Sequence, residues 1–393
     1  MTDSIDLQKK SAQKTKKFAP RPTMTDVAKL AGVSQSTVSM VLNNVTSARL
    51  SAKTRGLVLD AALALDYQLS YIARPTAAQL RQSLKEPLTK ISHARQRKLI
   101  VYLVDELSTS PHPAVCVDGA RDAAWKHDCV LSVAVTHGNP DQEKAIIDTA
   151  MCNPLLLGFI YSAIFTRQVE LPEALNNLPT VLLNCHDEKH KLPTVAPGEL
   201  AGGHAATDYL IAAGHTRIGF INGEPWMEAA KDRLKGYRRA LATADLPFDP
   251  AIVREGDWMS GSGFEATLSI MSETRPPSAI FCANDLMAIG ALEALKSKGF
   301  RVPEDVSLMG YDDQEISRHT HPALTTVLLP NYEMGRCAVE SLLAEINRAQ
   351  DEATGIQHTA RRLLIKVDCP IVERDSVSRP ESGTKSAKPK KPL

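Results

Sequence analysis

Between Leu99 and Tyr311 seven short apolar runs recur: "LIVYLV" (99–104), "VLSVAV" (130–135), "LLGFIY" (156–161), "TVLLN" (180–184), "RIGFI" (217–221), "SAIFCA" (278–283) and "VSLMGY" (306–311). Helical patterning fills the gaps. Runs that are apolar throughout and bounded by turn residues suit parallel strands buried on both faces. Strands alternating with helices restrict the chain to doubly wound α/β sheets. A stretch of about 270 residues is large for one such sheet, so two similar lobes with a cleft between them are expected.

The region before Leu99 has a different character. It holds 17 of the 46 Lys and Arg but 6 of the 45 Asp and Glu, so the remainder carries 29 basic against 39 acidic residues and the net charge of +1 hides a strong division. A basic module on an acidic body is the balance of a polyanion-binding head, or of a solvated basic tail. The seven cysteines (116, 129, 152, 185, 282, 337, 369) are scattered with no Cys-x-x-Cys pair. That excludes a disulfide framework and a structural zinc site and suits a reducing cytoplasm. No apolar run approaches the length of a membrane span, and the charged N-terminus leads into no apolar segment, so neither membrane nor secretion is expected.

Within the basic region, "MTDVAKLAGVSQSTVSMVLNN" (24–44) reads as helix interrupted by Gly32. Two helices resolve the interruption. Thr23 caps the first, with Asp26 three residues on and Val27, Ala28 and Leu30 as its apolar face; Gly32 ends it in a left-handed conformation. Ser34 caps the second, which turns Val38, Val41 and Leu42 inward and Gln35, Ser36, Ser39, Met40 and Asn43 outward. A small residue at Ala28, a glycine at Gly32 and an apolar plug at Val38 form the spacing of a helix-turn-helix. Ser51 caps a third helix whose Val58, Ala62 and Leu65 close a three-helix core.

The phrase "TDVAKLAGVSQSTVSMVLNN...RLSAKTRGLVLDAALALDY" closely resembles the headpiece of the LacI/GalR family of bacterial transcription regulators. The resemblance implies that the second helix lies in the major groove of operator DNA. Carried over residue by residue, Gln35, Ser36 and Met40 fall on base-reading positions, and Thr25, Thr37, Asn43, Ser51 and Thr54 on phosphate-contacting ones. Met40 departs from the Arg or His of many members, which replaces a hydrogen-bonding contact by an apolar one, as against a thymine methyl. Arg49, in a loop two residues longer than in the lactose repressor, either reaches phosphate or is solvated. The family's hinge helix implies a leucine wedged into the minor groove. The usual positions hold Ala73 and Thr76 around Pro75, and the pattern recurs as "AAQL" (77–80), so Pro75 starts a displaced helix and Leu80 is the wedge; a plain linker is the other reading.

The later phrases "AAGHTRIGFI", "RLKGYRRAL", "FCANDLMAIGALEAL", "RVPEDVSLMGYDD" and "PALTTV" resemble the family's body. That body implies two periplasmic-binding-protein-like lobes crossed three times by the chain. Ligands of such folds lie beyond the carboxyl ends of strands, which selects Asn284 and Asp312. The family motifs add Arg233 in "RLKGY" and Trp258 after "EGD". An Asp, an Asn, an Arg and a Trp together supply the paired polar groups and flat apolar surface a sugar needs. Individually they also read as a surface arginine, a core aromatic, a helix cap and a turn residue. The loop "VAPGELAGG" (195–203) departs from the Asp-rich form common there, with Gly198 and Glu199.

No catalytic constellation competes. "GSGFEA" (261–266) fits a dinucleotide fingerprint only formally, since no acidic ribose partner follows at the right distance. "HTH" (319–321) has no further ligands for a metal. The expected organisation is a basic disordered arm (1–22), an all-α headpiece (23–70), a hinge helix and linker (71–98), a two-lobed α/β effector-binding and dimerisation domain (99–372) and a basic disordered tail (373–393). The expected function is that of a cytoplasmic homodimeric repressor, without cofactor or metal. It would read pseudo-palindromic operator DNA under control of a small effector, expected to be a sugar. The alternative is a cytosolic sugar- or purine-binding protein without operator function.

Overall fold

The computed structural model describes residues 24–42, 51–65, 97–189, 191–353 and 363–380. By its internal contacts the chain divides into two units, 1–92 and 93–393.

In the first unit, α1 (Met24–Ala31), α2 (Gln35–Leu42) and α3 (Ala52–Ala64) form a miniature core. Gly32 stands at φ +66 with open space where a Cβ would sit, so the turn needs a glycine for its backbone rather than for room. Ser34 Oγ accepts from the Thr37 amide at 3.1 Å, and Ser51 Oγ from the Thr54 amide at 3.0 Å, capping α2 and α3. Val27, Ala28, Ala31, Val38, Val41, Val58, Ala61 and Ala62 are buried together, with Val33 and Leu65 packed against them. Leu30 corrects the expected apolar face: it is 56% exposed, and Ala31 takes its place. One step along a helix rotates a side chain by about 100°, which carries position 30 off the inward stripe.

The second unit has two lobes. The first holds β1 (Lys98–Val104), β2 (Cys129–Val135), β3 (Leu156–Gln168), β4 (Thr180–His186), β5 (Thr194–Pro197) and β11 (Leu364–Val367) in one sheet, ordered β11-β5-β4-β3-β1-β2 and parallel throughout. On one face Ile100, Tyr102, Ile160 and Val181 pack against α4 (His112–Lys126) and, through Met334, Ala338 and Leu342, against α10 (Asn331–Ala353). On the other, Val101, Leu103 and Phe159 meet Ile147 of α5 (Pro140–Met151). The central strands β1 and β3 bury apolar residues on both faces, which is why they read as continuous runs rather than alternations.

The second lobe holds β6 (Ile218–Asn222), β7 (Val253–Glu255), β8 (Ala279–Cys282) and β9 (Ser307–Met309), parallel in the order β7-β6-β8-β9. Helices α6 (Glu199–Ala212), α7 (Glu228–Thr243), α8 (Ser260–Met271) and α9 (Asp285–Ser297) cover it. A short antiparallel pair, β10 (Thr326–Val327) with β12 (Ile371–Val372), flanks it. The chain passes between lobes after β5, before α10 and after β11.

Residues 373–380, expected to belong to a disordered tail, are instead ordered. Residues 373–380 are bound into the second lobe: Ser376 O accepts from the Leu308 amide at 2.8 Å, and His215 Nε2 lies 2.9 Å from Ser378 O. Arg374 fixes the same segment through Asp313 Oδ1 at 2.5 Å and Leu324 O at 2.9 Å. Polar composition suggested disorder, but backbone and serine hydrogen bonds carry this segment with little apolar burial. Gly263 of "GSGFEA" has a packing role: a Cβ there would stand 2.1 Å from Met287 O, where α8 crosses α9, whereas Gly261 faces open space. No helix among the described residues is long and apolar enough to cross a membrane.

Candidate DNA interface and ligand cleft

In the headpiece, Gln35 and Ser36 stand exposed on the first turn of α2 and Met40 is 37% exposed further along it. Ser34 Oγ lies 2.7 Å from Ser36 Oγ and 2.9 Å from Thr37 Oγ1, so three hydroxyls share one cluster at the helix N-terminus. Positive helix ends and free donors favour phosphate there. Thr54 Oγ1 is 2.8 Å from Ser51 Oγ at the start of α3. Thr25 belongs to α1. Asn43, Arg49 and the proposed wedge Leu80 lie outside the described residues.

In the body, Arg233, Trp258, Asn284 and Asp312 converge, although the chain supplies them from four separate segments. Arg233 is 3% exposed on α7. One turn later Gly236 lets α6 approach so closely that a Cβ would stand 2.3 Å from Leu200 O. That approach carries Glu199, the first residue of α6, onto the guanidinium: Nε donates to Oε2 at 2.7 Å and Nη2 to Oε1 at 2.8 Å. Nη1 donates to Ala283 O and lies 3.6 Å from Asp312 Oδ1. The Tyr311 ring lies under the guanidinium at 3.7 Å and the Trp258 ring at 5.6 Å. Burial opposes the charge on Arg233, but Glu199, Tyr311 and Asp312 outweigh it and hold the group above its ordinary range.

Asn284 caps α9, accepting from the Met287 amide at 2.9 Å, and its Nδ2 donates to Trp258 O at 2.9 Å. One side chain thereby joins β8's end to the loop carrying the indole. Trp258 has φ +68 and Asp312 φ +108, conformations that non-glycine residues adopt at a cost and that cluster at functional sites. The indole rests where a side chain on Gly223 would be: a Cβ there would stand 1.9 Å from it. Trp258 Nε1 and Asn222 Oδ1 are buried with no hydrogen-bond partner. Beneath them Asp285 is fully buried, accepting from Thr326 Oγ1 at 2.6 Å and the Gln314 amide at 2.8 Å; burial, with Asp312 nearby, pushes its carboxyl up to about 8.

The two lobes touch around this cluster. His112 Nε2 at the start of α4 is 3.6 Å from Asp312 Oδ2, while Asn331 Nδ2 lies 3.0 Å from its Nδ1. His186 Nε2 at the end of β4 is 2.9 Å from Glu228 Oε1 on α7. Phe165 meets Trp226 edge to face at 5.5 Å. A cavity of about 260 Å³ beside these contacts is lined by Thr166, Cys185, His186, Thr194, Glu228 and Lys366, among others.

Glu199, Tyr311, His112 and Gly223 were not singled out from sequence as parts of the site. Glu199 was visible only as an oddity of its loop. The spacing that could have placed it is the glycine pair Gly203 and Gly236, one on each helix, where two backbones meet.

Comparison with known proteins agrees with this architecture. Residues 23–70 match the family model described as bacterial regulatory proteins, lacI family, and 207–377 a periplasmic binding protein-like domain. The chain is 32% identical over 356 residues to the HTH-type transcriptional repressor PurR of Pasteurella multocida, covering 90% of this chain and 98% of that protein. It is also 32% identical to the ribose operon repressor of Haemophilus influenzae, covering 89% and 98%. Among solved structures, a transcriptional regulator CelR–cellobiose complex matches with a TM-score of 0.57 at 27% identity, over 91% of this chain and all of that one. The Lac repressor dimer bound to operator and an anti-inducer matches with 0.57 at 26%, over 91% and 100%. The chain belongs to the LacI family of bacterial regulatory proteins: a DNA-binding transcriptional repressor with a ligand-binding body.

Proposed function

We propose that this repressor acts in the bacterial cytoplasm as a homodimer on a pseudo-palindromic operator, and that a sugar in the cleft of the body controls its grip. It is a regulator and not an enzyme. The observation that carries the effector reading is the convergence of Arg233, Trp258, Asn284 and Asp312 beyond the carboxyl ends of the second lobe's strands, where polar groups and an indole meet. The names of the ribose operon repressor and of the CelR–cellobiose complex support a carbohydrate.

Gln35, Ser36 and Met40 would read bases, and Thr25, Thr37, Asn43, Ser51 and Thr54 would hold phosphates. Leu80 would open the central base step. A second copy has an apolar face to meet: Val115, Trp125, Val130, Val133 and Met151, on α4, β2 and α5, are all exposed. The Lac repressor dimer supports that assembly.

The test is an electrophoretic shift on the chain's own upstream DNA, with calorimetric titration of the full-length protein against mono- and disaccharides and against purines. A sugar that binds and changes operator affinity, with both effects lost in Asn284→Ala, is the expected result. A purine binding tightly while every sugar fails overturns the effector class.

A further inference from the structure

The cleft carries more information than the presence of polar groups: its charges are arranged against one another. An arginine in a ligand cleft ordinarily serves an anion, because its planar fork matches a carboxylate or phosphate with two parallel hydrogen bonds. In this chain that fork is already taken. Nε and Nη2 of Arg233 bond both oxygens of Glu199, at 2.7 and 2.8 Å, and both residues are nearly fully buried. Nη1 is engaged by Ala283 O and faces Asp312. The guanidinium face lies on Tyr311. An incoming phosphate would find the edge occupied by an acceptor of its own sign.

Three other arginines also meet carboxylates, although Lys366, in the cavity beside the cleft, is in no ion pair among the described residues. Arg167 at the end of β3 reaches Asp105 at 2.8 Å, Arg374 reaches Asp313 at 2.5 Å, and Arg318 reaches the same carboxylate at 3.4 Å. His112 faces Asp312, and His186 faces Glu228. Every one of these arginines and histidines therefore meets a carboxylate, and Asp285 lies buried below. Around Arg233 the positive charge is opposed by Glu199 and Asp312, while Lys366 stands apart on β11 of the first lobe.

We infer that Glu199, by occupying the Arg233 fork, sets the charge class of the effector: the cleft takes an uncharged polyol and rejects its phosphorylated or carboxylated counterparts. This rests on the effector-cleft reading above and sharpens it. Asp312 would accept from hydroxyls, while Arg233, held by Glu199, would act as a rigid floor and not as an anion clamp. The cause of rejection is desolvation and like-charge repulsion, since a buried anion without a partner is costly.

The test pairs each sugar with its phosphate ester: glucose, galactose and ribose against the corresponding monophosphates, by calorimetry on the full-length protein. The expected result is that esters bind at least about 100-fold more weakly than any parent sugar that binds, the discrimination available to a site whose buried groups are mispaired. Inorganic phosphate alone is expected to give no saturable rise in Tm with the wild-type protein, and Glu199→Gln is expected to acquire one. An ester binding as tightly as its parent overturns the inference. So does a saturable phosphate response of the wild-type protein that Arg233→Gln removes, which decides the matter even where no sugar of the panel binds or Glu199→Gln fails to fold. Anion binding that is lost in Asn284→Ala refutes the charge class but leaves the effector cleft standing. Sugar binding indifferent to Asn284→Ala refutes the cleft itself.

Discussion

The headpiece and the cleft solve recognition in opposite ways. On α2 the side chains proposed to read DNA stand exposed, carried on a core of small apolar residues and joined by short-range hydroxyl contacts. In the cleft Arg233, Asn284 and Asp312 are each at most 8% exposed and bonded to the protein, and Asp312 itself stands at positive φ. A surface that meets a long polyanion can use flexible, solvated groups, because the electrostatic term is sequence-independent and large. A site that must recognise one small molecule needs its groups fixed beforehand. Substitutions should therefore cost stability in the cleft and operator affinity in the headpiece.

The largest effect that sharpens this contrast is in the buried fork. Arg233→Met leaves Glu199 without its partner and should lower unfolding stability by about 3–5 kcal/mol. Adding Glu199→Gln should recover part of that loss. Denaturant unfolding of both proteins checks it, and an unchanged midpoint for the single variant would mean that the fork is not fixed in solution. Next, Leu80→Ala should weaken operator binding by a few kcal/mol, the scale of an unstacked base step, without changing the unfolding midpoint of the body. If Thr76 proves critical instead, the hinge register is wrong.

On α2, Ser36→Ala or Gln35→Ala should change affinity by about 1–3 kcal/mol for some operator variants and not others. Thr54→Ala should weaken all of them alike. A shift series across single-base operator variants separates the two patterns, and uniform losses for all three substitutions would remove the division between reading and holding.

A further effect concerns pH. The Asp285 carboxyl is raised to about 8 in the fold, so the folded chain keeps a proton that the unfolded chain releases near pH 4. Within that window this group makes stability fall as pH rises. Asp285→Asn should flatten that part of the pH dependence. Thermal melts between pH 5 and 8 that keep the wild-type slope would show that Asp285 titrates normally.

How much could be read in advance follows the same contrast. The headpiece was legible because its caps, its glycine turn and its core lie within one contiguous stretch: Ser34, Ser51 and Gly32 do locally what their residue types favour. Leu30 was misplaced by a single helical position. In the body, strands β1 to β4 announced themselves by long apolar runs, whereas β5 and β11 are four residues each and β11, at the sheet edge, pairs with β5 alone among the described strands. The four cleft residues could be proposed one by one from motifs and strand ends. Their mutual bonding could not, because Glu199 reaches Arg233 only where Gly203 and Gly236 let two helices touch. Nothing in the local sequence of 195–203 states that distance.

The three passages between lobes have a consequence for how the chain is made. The second lobe is almost one continuous segment, 199–327, completed by the strap at 371–380. The first lobe leaves the ribosome earlier but lacks α10 and β11, whose Met334, Ala338 and Leu342 cover Ile100, Tyr102 and Ile160. During synthesis that apolar sheet face waits for more than a hundred further residues, in the order of emergence that ordinarily lets N-terminal units fold first. The lobe translated first waits longest for its missing cover, and a holdase would find its binding surface there, on the uncovered side of β1 and β3.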